Sequence, residues 1–476
     1  MARVMLILPH LPQRMGSPYL GQQYVAASLL AAGHEVRVLD LAAMLWTGTD
    51  ADAVAEVERF GPDMVGMTLF TYNALRGYTL AQALRGKTRM LVAGGPHPTV
   101  CPDEPLEYGF DVSVSGEGEW VVRQLMEVLE GKRSVEEVEG ARTAAVRGRP
   151  RATIEDLDAL PFPLLSYPSF DRRLYSPDAH IVPGGLMTSR GCPARCTFCA
   201  NYVTGRDYRW RSAQDVVAEM VQLRELYDVR HFPFWDDAFT ARRPRLNELC
   251  DAILAEPSLA GITWTCITPG NMVQPRDLAR MREAGCVAVN FGIESGDYNI
   301  LKVIQKGQRP EQVEAAVAAA RAEGMTTIVN FMFGFPEEGV EELKNTMGLM
   351  ESLSPYTDFF NNRGVLVPFP GTTIYDRWHA HYGFTRWWLD PAKVPDEPNL
   401  HVLDPKVVAT SLEVDPTLEL DFFRYSDPVR RAIGDCVRFK AQHNVRSVAR
   451  MSSAATSIEV GTTVTSLQQR AAASVG

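Results

Sequence analysis

Short apolar runs alternate with helix-patterned stretches along this chain, and they do so twice, on either side of one proline-rich break. Strand, helix, strand in succession dictates parallel pairing, with helices packed on the faces of the sheet. In the first part VMLIL, EVRVLDL, DMVGMTL, RMLVAGG and DVSVSGEGE read as strands. The helices between and after them are QQYVAASLLAAG, ADAVAEVERFG, NALRGYTLAQALRG and EWVVRQLMEVLEG; Gly33 and Gly61 close the first two. The pattern predicts an α/β domain, a doubly wound parallel sheet, over residues 1–140. Residues 141–178 hold many prolines and no period, which reads as an interdomain linker. Over residues 179–384 the alternation resumes as six β/α units, starting with the strand GLMTSR. A closed barrel of this kind needs eight, so a partial (β/α)6 barrel, open on one side, is expected. Residues 385–450 are expected to form a small, mostly helical region over the substrate side, and the Ser-, Thr-, Ala- and Gly-rich residues 451–476 a disordered tail.

Composition narrows the class. A chain of 476 residues is long enough for two or three domains, and 46% hydrophobic with 22% charged residues describes a soluble globular protein. The net charge of −10 works against binding nucleic acid or an anionic membrane surface non-specifically. No apolar stretch approaches the roughly 18–20 residues that span a bilayer, and MARVMLILPHLP reads as a first strand rather than a signal peptide. Eight cysteines, five of them scattered (Cys101, Cys250, Cys266, Cys286, Cys436), do not form a disulfide framework, and a cytoplasmic location is expected.

The other three cysteines, Cys192, Cys196 and Cys199, fall in TSRGCPARCTFCANY, a C-x3-C-x2-C spacing. The loop follows a strand, and ligands gather at the carboxyl ends of parallel strands. Three thiolates on one loop can hold three corners of a [4Fe-4S] cluster and leave the fourth iron open, whereas common four-ligand clusters are closed by a fourth Cys. The alternatives are accidental clustering or a structural zinc site. Zinc wants a fourth Cys or His at its own spacing, and none follows nearby.

With AGHEVRVLDL, GPDMVGMTLFT, VAGGPHPT and VSGEGEW in the first domain, and WDDAFT, FGIESG, FGFPEE and PFPGT in the barrel, the chain resembles the cobalamin-binding radical S-adenosylmethionine (SAM) family, in its methyltransferase-like branch, over about residues 1–385. The resemblance implies a cobalamin-binding first sheet, a radical SAM barrel, and three cofactors: a [4Fe-4S] cluster on the three cysteines, SAM and cobalamin. It places Phe198, Asp236, Asp237, Glu294, Ser295, Gly334 and Pro336 around SAM: a carboxylate near its amino group, another on its ribose, and apolar contact to its adenine. WDD departs from the Gly-Gly-Glu common among radical SAM enzymes. Around cobalamin it places Thr68, Thr71, Gly94, Gly95, His97, Gly116 and Glu117, with Gly118 nearby; turn-forming and capping roles are the alternatives. His97 is not expected to ligate cobalt, because the Asp-x-His-x-x-Gly motif is missing. Arg209 and Arg211 either meet a carboxylate or phosphate or start a solvated helix, and Trp387 and Trp388 line a pocket or, more simply, the core.

The chemistry implied is hydrogen abstraction from an unactivated carbon followed by methyl transfer, carried by the cofactors rather than by a catalytic side chain. The function expected is C-methylation of a small molecule in natural-product, for example antibiotic, biosynthesis, with a flavodoxin or ferredoxin as electron donor. The alternative keeps the radical step without methyl transfer, as in a dehydratase, oxidative cyclase or rearrangement enzyme. A cofactor-binding sensor is a third, non-enzymatic reading.

Overall fold

A computed structural model describes residues 1–12, 14–146, 150–175, 185–361, 364–394 and 416–457. The first sheet contains β1 (Arg3–Leu8), β2 (Glu35–Asp40), β3 (Met64–Thr68), β4 (Met90–Gly94), β5 (Val112–Val114) and β6 (Ala141–Arg142), in the order β2-β1-β3-β4-β5-β6. β1 to β5 are parallel. The apolar run of β1 is buried at five of its six positions, as a central strand covered on both faces requires. Because β1 and β3 are neighbours while β2 lies outside β1, the strand order reverses there and leaves a crevice at their carboxyl ends, the usual ligand position in such sheets.

The stretch read as a linker differs from expectation at its start. β6 pairs antiparallel with β5, and Ala152 bridges to Gly116, so these residues finish the first sheet rather than spanning between domains. The cause is burial: Ala141 and Ala152 are small, apolar and enclosed, and proline spacing carries no sign of that.

The second domain opens with a short hairpin, β7 (Ser189–Arg190) against β8 (Arg209–Trp210), that frames the cysteine loop. Five parallel strands follow in sequential order: β9 (His231–Pro233), β10 (Thr263–Pro269), β11 (Cys286–Glu294), β12 (Thr326–Phe331) and β13 (Phe359–Asn361). Leu186 bridges in parallel to Phe234, which sets the GLMTSR segment beside β9 as the sixth strand of a partial barrel. Side chains alternate along these strands. Phe232, Phe234, Trp264, Cys266, Phe291, Val329, Phe331 and Phe360 join one buried cluster with the surrounding helices. The alternate positions, among them Pro233, Trp235, Thr265, Ile267, Asn290, Gly292 and Ile328, are half-buried or exposed and line the barrel interior. Trp235 is 53% exposed there.

A second cluster joins the two domains. It takes Leu69 and Phe110 from the first sheet, Ile304 and Phe335 from the barrel, and Trp387, Trp388 and Phe422 from the C-terminal region. Both tryptophans are therefore core: the Trp387 indole donates to the Pro368 carbonyl at 2.9 Å and that of Trp388 to Glu104 at 2.8 Å. A helix at Asp427–Ser457 covers β13, and the buried Asn444 side chain accepts from the Phe360 N–H and donates to the Phe360 carbonyl, both at 2.9 Å. This helix runs seven residues into the stretch expected to be a tail; residues 458–476 lie outside the described residues, as do 395–415. No helix among the described residues is long and apolar enough to cross a membrane.

Candidate active site

The cysteine loop is held by backbone at its start and in its middle. The Cys192 N–H donates to the Gly205 carbonyl at 3.1 Å, and the Thr197 N–H, inside the loop, to Ile304 at 2.9 Å. Gly191 has φ +86, and a Cβ there would strike the Asp207 carbonyl, so the turn into the loop needs glycine. Cys196 is buried, Cys192 half-buried and Cys199 exposed, and none forms a disulfide. Burial holds the Cys196 thiol above its ordinary pKa, so a metal arriving here displaces a proton. Among the described residues no three His, Cys, Asp or Glu side chains converge on one metal ion. Three thiols on one loop suit a cluster, which spreads its ligands over separate iron corners. The donor set fits the cluster.

Asp237 stands open to solvent beside this loop and accepts from Asn201 Nδ2 and Thr204 Oγ1, each at 3.0 Å. Its neighbour Asp236 does not share that role. It is 1% exposed and bonded to the Thr188 N–H at 2.7 Å and to Ser189 Oγ at 2.6 Å, which ties the first barrel strand to β9. Past the end of β9 the two consecutive carboxylates turn to different surroundings, one into the core and one to solvent.

On the far side of the loop Glu294 receives Lys306 Nζ at 2.8 Å. Glu294 has φ +74, a costly backbone for a non-glycine residue, where β11 breaks register after Gly292. Lys306 was not singled out from sequence. Its ammonium lies 5.9 Å from the Phe198 ring centre, and Phe198 in turn is 5.8 Å from Phe335. Burial opposes the Lys306 charge, but the Glu294 carboxylate and the Cys196 thiol outweigh it and hold its pKa above the ordinary range. Nothing in periodicity marks a lysine twelve residues beyond a strand end; only the fold brings it back.

Ser295 and Gly334 are spent on structure instead. Ser295 is fully buried, 3.1 Å from Thr346 Oγ1, and accepts from the Asp297 N–H at 3.0 Å. The Gly334 N–H donates to Glu338 at 2.6 Å, and its carbonyl accepts from the Tyr425 hydroxyl at 2.8 Å. Pro336, half-buried, follows Phe335 along the same strand end.

At the crevice of the first sheet the motif residues divide. Gly94 has no atom within 4 Å of where a Cβ would stand, so this strand end is open to a bulky ligand. Gly95 turns with φ +101 over Leu69, and Thr68 is half-buried beside it. Gln22, on the first turn of the helix Leu20–Ala31 that follows β1, is 2% exposed, and neither of its amide atoms has a partner among the described residues. A buried amide without partners is costly, and an amide-rich corrin or its nucleotide would satisfy it. These residues fit cobalamin. The remainder do not face it. His97 is fully buried, with Nδ1 3.3 Å from Thr71 Oγ1 and Nε2 3.0 Å from Glu104, so both ring nitrogens and Thr71 are taken. Gly116 is a packing glycine, since a Cβ would strike the Ala152 backbone. Glu117 is 1% exposed and ion-paired to Arg190 and Arg209, while Arg211 pairs with Asp215 and Glu219; none of these arginines starts a solvated helix.

Comparison with known families matches both halves of the chain. The B12 binding domain family matches residues 17–126, and the Radical SAM superfamily matches residues 186–350. An uncharacterized methyltransferase of Pyrococcus horikoshii is 32% identical over 75% of this chain and 78% of its own length. Cytidylyl-2-hydroxyethylphosphonate methyltransferase of Streptomyces wedmorensis is 30% identical over 68% of this chain and 71% of its own. The radical SAM methyltransferase TsrM of Kitasatospora setae, solved with cobalamin and a [4Fe-4S] cluster bound, superposes with a TM-score of 0.64 over 80% of this chain and 76% of that one, a likeness of fold at 20% identity.

Proposed function

Because this chain belongs to the cobalamin-binding radical SAM family, we propose that it methylates an unactivated carbon of a small molecule, in natural-product biosynthesis. The observation that carries the reading is the joining of two features. An open, unpaired cysteine loop flanked by Asp237 and the Glu294–Lys306 pair shares a molecule with a sheet crevice that holds the open Gly94 position and the unbonded Gln22 amide. When bound, the cluster with SAM supplies hydrogen abstraction, and cobalamin supplies the methyl group.

The chain's own part is binding and orientation. Cys192, Cys196 and Cys199 would hold three irons. Asp237 accepts from an ammonium and Lys306 donates to a carboxylate, a complementary pair for the amino-acid end of SAM. Glu294, once Lys306 turns to that carboxylate, is free to accept from a ribose hydroxyl, and Phe198 with Phe335 supplies apolar contact for adenine. The interior face below, with the half-open indole of Trp235 and the paired amides of Asn290 and Asn330, is where a substrate would lie against the strand ends. A flavodoxin or ferredoxin would deliver the electron, and a cytoplasmic setting suits such chemistry.

The test is anaerobic reconstitution with iron, sulfide and cobalamin, followed by reduction with SAM labelled at its methyl group. Tightly held cobalt, deoxyadenosine, and label in a small-molecule product are expected. Deoxyadenosine with no cobalt retained and no methylated product would replace this reading with a radical dehydration, cyclisation or rearrangement.

A further inference from the structure

The two domains meet behind the cysteine loop through four buried charges of balanced sign. Arg190 lies on β7, two residues before Cys192, and donates to Glu117 at 2.9 Å and to Glu119 at 2.6 Å. Arg209, on β8 at the other end of the loop, donates to both oxygens of Glu117, at 2.7 Å and 3.1 Å. Glu117 and Glu119 belong to the first domain, just past β5. No side chain of the four is more than 8% exposed. The Tyr24 ring, from the helix after β1, covers the Arg190 guanidinium at 5.0 Å.

This set reaches the site itself. Arg209 also donates to the Thr204 carbonyl at 3.0 Å, and the Thr204 hydroxyl donates to Asp237 at 3.0 Å. An unbroken run of bonds therefore leads from the end of β5 to the carboxylate beside the thiols. Adhesion alone does not account for it. Burying two ion pairs contributes little to stability compared with apolar packing, and the same two domains already share an apolar cluster around Phe335 and Trp388. What forked guanidinium–carboxylate bonds add is fixed separation and fixed orientation.

We propose that Arg190 and Arg209 are positioning residues: through Glu117 and Glu119 they set the cysteine loop at one distance and angle from the crevice of the first sheet, and so set the gap between the two bound cofactors. The inference rests on the reading that both cofactors bind. Sequence shows why it was hidden, since Glu117 stands 73 residues from Arg190 and 92 from Arg209.

Pulsed electron paramagnetic resonance on the reduced, anaerobic holoenzyme measures the gap directly, between the cluster and cobalt(II), and requires no substrate. The native protein is expected to give one narrow distance distribution. Glu119→Gln, which removes one fork and leaves Glu117 in place, and Arg209→Lys are expected to shift or broaden it with iron and cobalt content unchanged. Arg190→Lys is expected to restore part of what Arg190→Gln loses. An unchanged distance in both E119Q and R209K overturns the proposal, as does broadening confined to variants that have lost iron or cobalt. Native protein that retains iron but no cobalt after reconstitution sinks the proposed methyl transfer and takes this inference with it.

Discussion

At the carboxyl edge of the barrel Asp237 and Cys199 are exposed, and Glu294 holds Lys306 within reach of the thiols. At the edge of the first sheet His97, Glu104, Glu117 and Glu119 are all buried and bonded to protein. Glu104 alone accepts from Tyr78, His97, Trp388 and Arg386. Among the described residues that edge offers instead the open Gly94 position, the half-buried Thr68 and the unbonded Gln22 amide. One edge therefore has charge available to grip a zwitterion, and the other offers shape to a large, mostly neutral ring, with its charges turned to construction. The same residue type means different things on the two sides.

The largest effect expected falls on the charged edge. Cys199→Ala removes an exposed thiol with no packing role, so the fold should survive while iron is lost and SAM cleavage falls below detection; iron analysis and deoxyadenosine assay decide it. Next comes Glu117→Ala, which leaves two buried guanidiniums short of partners, at a cost of about 3–5 kcal/mol in denaturant unfolding. A loss under about 1 kcal/mol would mean that Glu117 is not the structural acid described here. Gly94→Val should be smaller and more selective. Its side chain enters open space, so the melting temperature should hold while cobalamin affinity falls at least about tenfold, or ~1.4 kcal/mol; unchanged affinity would move the ligand away from β4.

The last effect shows only as pH changes and concerns a spent acid on the barrel side. Burial raises Glu338 from 4.5 to about 8, and its second oxygen has no partner. Between those values the folded state holds a proton that the unfolded chain has released, so stability should fall as pH rises from 4.5 towards 8. Glu338→Gln should flatten that slope, which thermal unfolding across the range will show; a slope unaltered by E338Q would assign it to other groups.

The contrast also explains what could be read in advance. Both α/β domains, six barrel strands and the cluster loop were legible because each is a local pattern: apolar alternation, glycine stops, three thiols on one loop. Asp237 and Glu294 were legible as strand-end carboxylates. Glu117 was not, because GEGE has the look of a ligand loop and its arginines lie in another domain. Asp236 is indistinguishable from Asp237 in sequence, because adjacency hides that one is buried and the other exposed. Lys306 and Gln22 carry no motif at all, and only tertiary folding gives one its thiol neighbours and deprives the other of partners.

One small feature of the fold bears on behaviour in concentrated solution. β13 ends its sheet, and an open edge strand invites another chain to add to it. Asn444 occupies the Phe360 backbone with its carboxamide, giving and receiving as a neighbouring strand would. The helix Asp427–Ser457 and this carboxamide thus block the first step of edge-to-edge aggregation together, and removing the amide should leave the helix as a weaker cover.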